Sequence, residues 1–221
     1  MRFIRNFFYR ATLGDRAYLF LFEPPPPDEV VVIDCETTGL NPRRDEVIAV
    51  AAIRIRGQRI LTSEAYRAII RSDKAPTSES IKVHQLRAME VSEGRGLHHV
   101  LPELLRFIGS RPIVGYYVDF DVAMLDKHVL RFIETKLPNP RIEVSEIYYA
   151  LKYRNAPPGA VHDLRFASIL ADLKLPSLEQ HDAFNDALMT AMMYVQLRDL
   201  QERGVRIAGA TRARRDAPVG A

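Results

Sequence analysis

Val30-Val31-Val32-Ile33-Asp34-Cys35-Glu36-Thr37-Thr38-Gly39 is the stretch from which the rest of the chain is read. Four β-branched residues in a row make the pattern of a strand buried on both faces. That strand runs into two carboxylates at alternate positions. Alternate strand residues share a face, so Asp34 and Glu36 project together while Cys35 points the other way. Two like charges at the end of an apolar strand are costly unless something neutralises them. A divalent cation does so with oxygen ligands and keeps part of its shell for water and phosphate. A solvated strand end is the plainer reading of an isolated Asp-x-Glu.

Downstream, Thr38-Gly39-Leu40-Asn41-Pro42 marks a loop. A second strand follows from about Val47 to Ile55, and Gly57 turns the chain into a third, near Arg59 to Ile70. Residues 78–92 read as short helices. Leu97, Val100, Leu101, Leu104, Leu105 and Ile108 repeat with a helical period. Pro112 to Tyr117 reads as another strand. Residues 121–133 carry Val122, Leu125, Val129 and Phe132 on one helical face, and 163–174 and 183–201 are helical by period. There is no internal repeat. Strands in hairpin succession, then helices, a strand and more helices, give an α/β fold with a mixed sheet flanked by helices.

Upstream, Pro24 to Pro27 form a stiff extended spacer. The segment before it, with Phe3, Phe7, Phe8, Tyr9, Tyr18, Phe20 and Phe22, cannot form a core alone and is expected to pack on the main body. The chain thus divides into an N-terminal extension and proline spacer (1–28), a main domain (29–203) and a basic flexible tail (204–221). Hydrophobic residues make up 47% of the 221, enough for a substantial core. A net charge of +3 and a pI of about 9.0 lean mildly toward polyanionic partners. Much of the excess sits at Arg203, Arg206, Arg212, Arg214 and Arg215. No apolar run reaches the ~18–20 residues that span a bilayer, and no signal peptide is read. The single cysteine, Cys35, excludes an internal disulfide and fits a reducing compartment. A cytoplasmic location without membrane association is expected; the oligomeric state is left open.

Two further stretches carry chemistry. In Val114-Gly115-Tyr116-Tyr117-Val118-Asp119-Phe120-Asp121 a strand stops and Asp121 opens a helix; alone, it fits a helix start. In His181-Asp182-Ala183-Phe184-Asn185-Asp186-Ala187, Asp186 lies near the start of the last long helix. His181 sits in the loop before it, where a histidine can serve as a base or be an ordinary exposed residue.

Together and in this order, the three stretches resemble the motifs of the DEDDh (DnaQ-like) 3′–5′ exonucleases. Asp34 to Leu40 resembles the first, Gly115 to Asp121 the second, and His181-x-Ala-x-x-Asp186-Ala187 the third. The motifs are similar to those of DNA polymerase III epsilon subunits. A histidine five residues before the last aspartate matches the DEDDh branch; the sister branch has a tyrosine four residues before it, where this chain has Asp182. The resemblance covers about residues 29–202. It departs at Tyr116-Tyr117, where the family often has His-Asn.

The resemblance implies an RNase H-like fold, with a mixed five-stranded sheet flanked by helices, and two divalent ions, Mg²⁺ or Mn²⁺. Asp34, Glu36 and Asp186 would hold the ion that activates water. Asp34 would bridge to a second, supported by Asp121. Two cations ~3.5–4 Å apart stabilise the entering and leaving oxygens of a phosphodiester. His181 would take the proton of the attacking water. Thr37, Thr38 and Gly39 would contact the terminal nucleotide, Leu40 would wedge against the last bases, and His84 would lie near the terminal base. Leu40 in the core and His84 on a helix surface are the alternatives. Phe120 reads as core packing. The implied activity is 3′–5′ removal of nucleoside 5′-monophosphates from single-stranded or frayed DNA 3′ ends, in repair, proofreading or turnover, with DNA placed ahead of RNA. Association with a polymerase or clamp stays open. The rival readings are an RNA-directed exoribonuclease and a non-catalytic nucleic-acid-binding module on the same fold.

Overall fold

A computed structural model describes residues 2–72 and 88–208 of the chain. The apolar run quoted above becomes β1 (Glu29–Thr37), the middle strand of the sheet. It pairs antiparallel with β2 (Val47–Arg56), Asp34 facing Ala51 and Glu36 facing Ala49, with the register slipping between Glu36 and Thr37. The third strand is broken. β3 (Arg59–Ile60) and β4 (Tyr66–Ile69) each pair with β2, and a 3₁₀ turn, Thr62–Glu64, separates them. On the other side of β1 lie β5 (Ile113–Gly115) and β6 (Arg141–Glu143), both parallel. The sheet is therefore mixed, with six strands in five ranks.

The described helices are α1 (Arg2–Ala11), α2 (Ala88–Ser92), α3 (Leu97–Ile108), α4 (Val118–Ile133), α5 (Val144–Lys152), α6 (Phe166–Asp172) and α7 (Ala183–Glu202). They divide between the two faces of the sheet. Val31, Ile33 and Cys35 of β1 belong to one core cluster with Leu104 and Leu105 of α3 and Val122, Leu125 and Val129 of α4. Val32, Ala49 and Ala51 belong to a second with Ala187, Ala191 and Leu197 of α7. The alternation of β1 thus sends its residues to opposite helical layers. In α7 the small buried residues Ala183, Ala187 and Ala191 recur every fourth position, which lets the helix lie close on β1 and β2.

The helix start at Asp121 and two elements near it differ from the sequence reading, whereas the N-terminal segment packs as expected. Helix α4 starts at Val118 rather than 121, so Asp121 is its fourth residue. Strand β6 and helix α5 were not anticipated. The aromatic N-terminal segment packs on the body: Tyr18 and Leu21 are buried in the first cluster, and the Tyr18 ring meets Phe132 edge-on at 5.5 Å. His84 and the arginines Arg212, Arg214 and Arg215 lie outside the described residues. No described helix is long and apolar enough to cross a membrane.

Candidate active site

Asp34 and Glu36 leave β1 on the face that α7 covers, and Asp186, in the first turn of α7, comes down on them. One carboxylate oxygen from each of the three lies within 4.8 Å of the others. The helix start is fixed locally: Asp182 accepts from the Asn185 N–H at 2.9 Å, a side-chain N-cap. The His181 N–H donates to Asp186 Oδ2 at 2.9 Å. The other oxygen, Asp186 Oδ1, is buried and has no hydrogen-bond partner among the described residues.

Asp121 arrives from the opposite layer. Its helix packs on the face that holds Cys35, and its carboxylate accepts the Cys35 N–H at 3.0 Å. It stands beside the trio, bonded to the residue between Asp34 and Glu36. Gly115 permits the tight passage from β5 to α4, since a Cβ there would lie 2.9 Å from Val118 Cβ. Glu143 fixes the same corner by accepting the Val118 N–H at 3.0 Å.

The electrostatics follow from this crowding. Burial, then the charges of Asp121, Glu36 and Asp186, push the Asp34 carboxyl well above its usual range. Burial and the neighbouring Asp186 and Asp182 raise Glu36 to about 7. Burial raises Asp121 to about 8 against the opposing bond from Cys35, and burial also raises Asp186. Converging carboxylates with one orphaned oxygen are a donor set suited to a hard divalent cation, which would remove the repulsion and satisfy Oδ1. The residues therefore fit the metal that the motifs imply.

The loop after β1 is tightly organised. Thr37 Oγ1 donates to the Gly39 carbonyl at 2.8 Å. Thr38 is buried, and its hydroxyl accepts the Glu46 N–H at 3.0 Å. Gly39 is packed so closely that a Cβ would come within 2.5 Å of Asp45 Oδ2. Glu46 in turn contacts Lys127 Nζ at 3.2 Å and His128 Nε2 at 3.1 Å on α4. Leu40 is 86% exposed, which excludes it from the core. Phe120 packs partly buried against the first cluster.

His181 is exposed and left-handed, with φ 67°. It lines a cavity of about 310 Å³ beside Glu36. Two further residues of that wall, Arg67 and Phe184, carried no signal in the sequence. Arg67 faces Ala51 on β2, and that register depends on how β4 pairs.

A model of the RNase T exonuclease family matches residues 31–194. Over 167 residues the chain is 27% identical to the DNA polymerase III subunit epsilon of Aquifex aeolicus, covering 76% of this chain and 79% of that protein. Over 200 residues it is 24% identical to the PolC-type DNA polymerase III of Thermotoga maritima, covering 90% of this chain. It spans only 13% of the length of that polymerase and 12% of the one from Thermotoga petrophila. Among solved structures, the fold is similar to that of Escherichia coli exonuclease I in complex with a dT13 oligonucleotide, with a TM-score of 0.66 at 17% identity over 80% of this chain and 42% of that one.

Proposed function

Because the chain belongs to the RNase T exonuclease family, we propose that it is a divalent-metal-dependent 3′–5′ exonuclease. It would release nucleoside 5′-monophosphates from single-stranded or frayed DNA 3′ ends. The observation that carries this reading is the convergence of Asp34, Glu36 and Asp186, with Asp186 Oδ1 buried and without a hydrogen-bond partner among the described residues. Asp34, Glu36 and Asp186 would hold one ion, and Asp34 with Asp121 a second, Mg²⁺ or Mn²⁺. Such ions supply electrostatic stabilisation to the entering and leaving oxygens of an in-line displacement.

The chain's own residues do the rest. His181 stands at the mouth of the site and would take the proton of the attacking water. The His181 main-chain N–H donates to Asp186, which keeps the two residues adjacent and supports this reading. Exposed Leu40 would lie against the terminal base, presented by the Thr37-Thr38-Gly39 turn. The relatives named as DNA polymerase III subunits, and the exonuclease I structures solved with DNA oligonucleotides, support DNA over RNA. They equally support a proofreading, repair or turnover role, with association to a polymerase as its proofreading form.

Purified protein with Mg²⁺ or Mn²⁺ should shorten a 3′-hydroxyl DNA oligonucleotide one nucleotide at a time, and EDTA should stop it. Asp34→Ala and Asp186→Ala should abolish digestion, while His181→Ala should slow it roughly 10²- to 10⁴-fold with the fold intact. Parent-like activity in all three variants would remove the site assignment. Faster digestion of a matched RNA strand would move the substrate class to RNA.

A further inference from the structure

Strand register carries an arginine onto the face that holds the carboxylates. Asp34 pairs with Ala51, and Ala51 with Arg67. Directly paired residues share a face, so Arg67 lies on the side of the sheet that bears Asp34 and Glu36. Two strand spacings of ~4.8 Å put its backbone roughly 10 Å from that of Asp34. Only alanines, Ala49 and Ala51, stand on β2 between them, and they leave room for the cavity of about 310 Å³ that Glu36, His181, Arg67 and Phe184 enclose.

Arg67 is exposed, and its guanidinium carbon sits 3.1 Å from the centroid of the Phe184 ring. Among the described residues no carboxylate forms an ion pair with it, although Glu36 and Asp182 line the same cavity. It therefore does not serve as counter-ion to the acidic cluster. A guanidinium held over an aromatic ring loses rotamer freedom while its N–H groups stay available for an oxygen ligand. That planar fork matches the oxygens of a phosphate.

Resting on the exonuclease reading above, we propose that this cavity is a second phosphate subsite, in which Arg67, braced by Phe184, takes a non-scissile phosphate of the bound strand. At a 3′-hydroxyl end the scissile phosphate is the last one. The phosphate at Arg67 therefore belongs to the strand 5′ of the cut. The subsite lets the enzyme grip a polymer, because a substrate with one phosphate leaves it empty.

The test compares the p-nitrophenyl ester of thymidine 5′-monophosphate, which has one phosphate, with the oligonucleotide dT8. In Arg67→Ala the KM for dT8 should rise roughly 10- to 100-fold relative to the KM for the ester, and Arg67→Lys should recover part of the loss. Neutral methylphosphonates placed one at a time 5′ of the scissile linkage should include one position that weakens the parent and adds nothing to Arg67→Ala. Equal losses on both substrates would assign Arg67 to the scissile phosphate or to local packing and overturn the subsite. So would a parent indifferent to every methylphosphonate. If the parent cleaves neither substrate, the exonuclease reading fails on its own terms. Fluorescence anisotropy with labelled dT8 and Ca²⁺ then decides the subsite: weaker binding by Arg67→Ala supports it, and equal affinity overturns it.

Discussion

Glu29, 8% exposed at the start of β1, sits between two arginines, with Arg56 Nε 2.6 Å from one carboxylate oxygen and Arg111 Nη2 2.6 Å from the other. Burial pushes its carboxyl up, but the bonds and charges of Arg56 and Arg111 outweigh that and hold it below its ordinary 4.5. The unfolded chain therefore binds more protons between the two values. The stabilisation is fully present above about pH 4.5 and is lost as pH falls through the lower, folded value. Glu29→Gln should melt lower than the parent near neutrality, and the gap should close in acid. Circular dichroism melts between about pH 3 and pH 7 measure this, and parallel profiles would show that the pairing contributes nothing pH-dependent. Among the described residues Asp34, Glu36 and Asp186 form no ion pair with an arginine, and all three are raised, first by burial, with Asp186 adding to the rise at Asp34 and Glu36. The contrast is between a carboxylate held by two arginines and a cluster of carboxylates whose charged forms burial disfavours. The sequence disclosed part of this. Strand alternation placed Asp34 and Glu36 together, whereas Asp121 and Asp186 entered only through the order of the motifs. Asp121's approach from the opposite layer depends on tertiary packing and has no local signal, and Arg67's position depends on a strand register that composition does not encode.

Among the elements, the hairpin between β2 and β3 turns on Gly57 and Gln58, with Arg56 paired to Arg59. Gly57 has φ 58°, and its N–H donates to the Asp28 carbonyl at 2.8 Å. A positive φ at the first of two central positions is what a type II′ turn requires, and glycine meets it without strain. Nothing lies within 4 Å of a Cβ built there, so Gly57→Ala should cost about 1 kcal/mol through the backbone alone. Gly57→Asn should cost less, since asparagine tolerates that region. Urea denaturation separates the three chains, and an alanine variant as stable as the parent would contradict the turn. The glycine was legible, as were the long periodic helices α3 and α7. The break in the third strand was not, because Leu61-Thr62-Ser63-Glu64-Ala65 contains neither proline nor glycine to mark it. Strand β6, three residues long, offers too little alternation to read. Helix α4 begins after Tyr117, whose φ of 58° and lack of a side-chain cap bond hide the true start. The reading therefore began the helix at Asp121.

At the scale of the molecule, the two helical layers meet the sheet from opposite sides, and the N-terminal segment belongs to one of them. Leu21 is 2% exposed and Tyr18 is buried within the cluster that also holds Val122, Leu125 and Val129 of α4. The segment is latched further by the Gly14 N–H on the Ile133 carbonyl at 2.9 Å and by Thr12 Oγ1 on Thr135 Oγ1 at 3.2 Å. These contacts grip the C-terminal end of α4, and the other end of the same helix delivers Asp121 to the carboxylate cluster. The proline-linked segment and Asp121 thus sit at opposite ends of one helix. Leu21→Ala should cost about 2–5 kcal/mol of unfolding free energy, the penalty for emptying a buried leucine site. Phe8→Ala, at a side chain 61% exposed, should stay within about 0.5 kcal/mol of the parent. Urea unfolding of both variants checks the comparison. Equal stabilities would mean that the N-terminal segment does not share the core, and its hold on α4 would then fail with it.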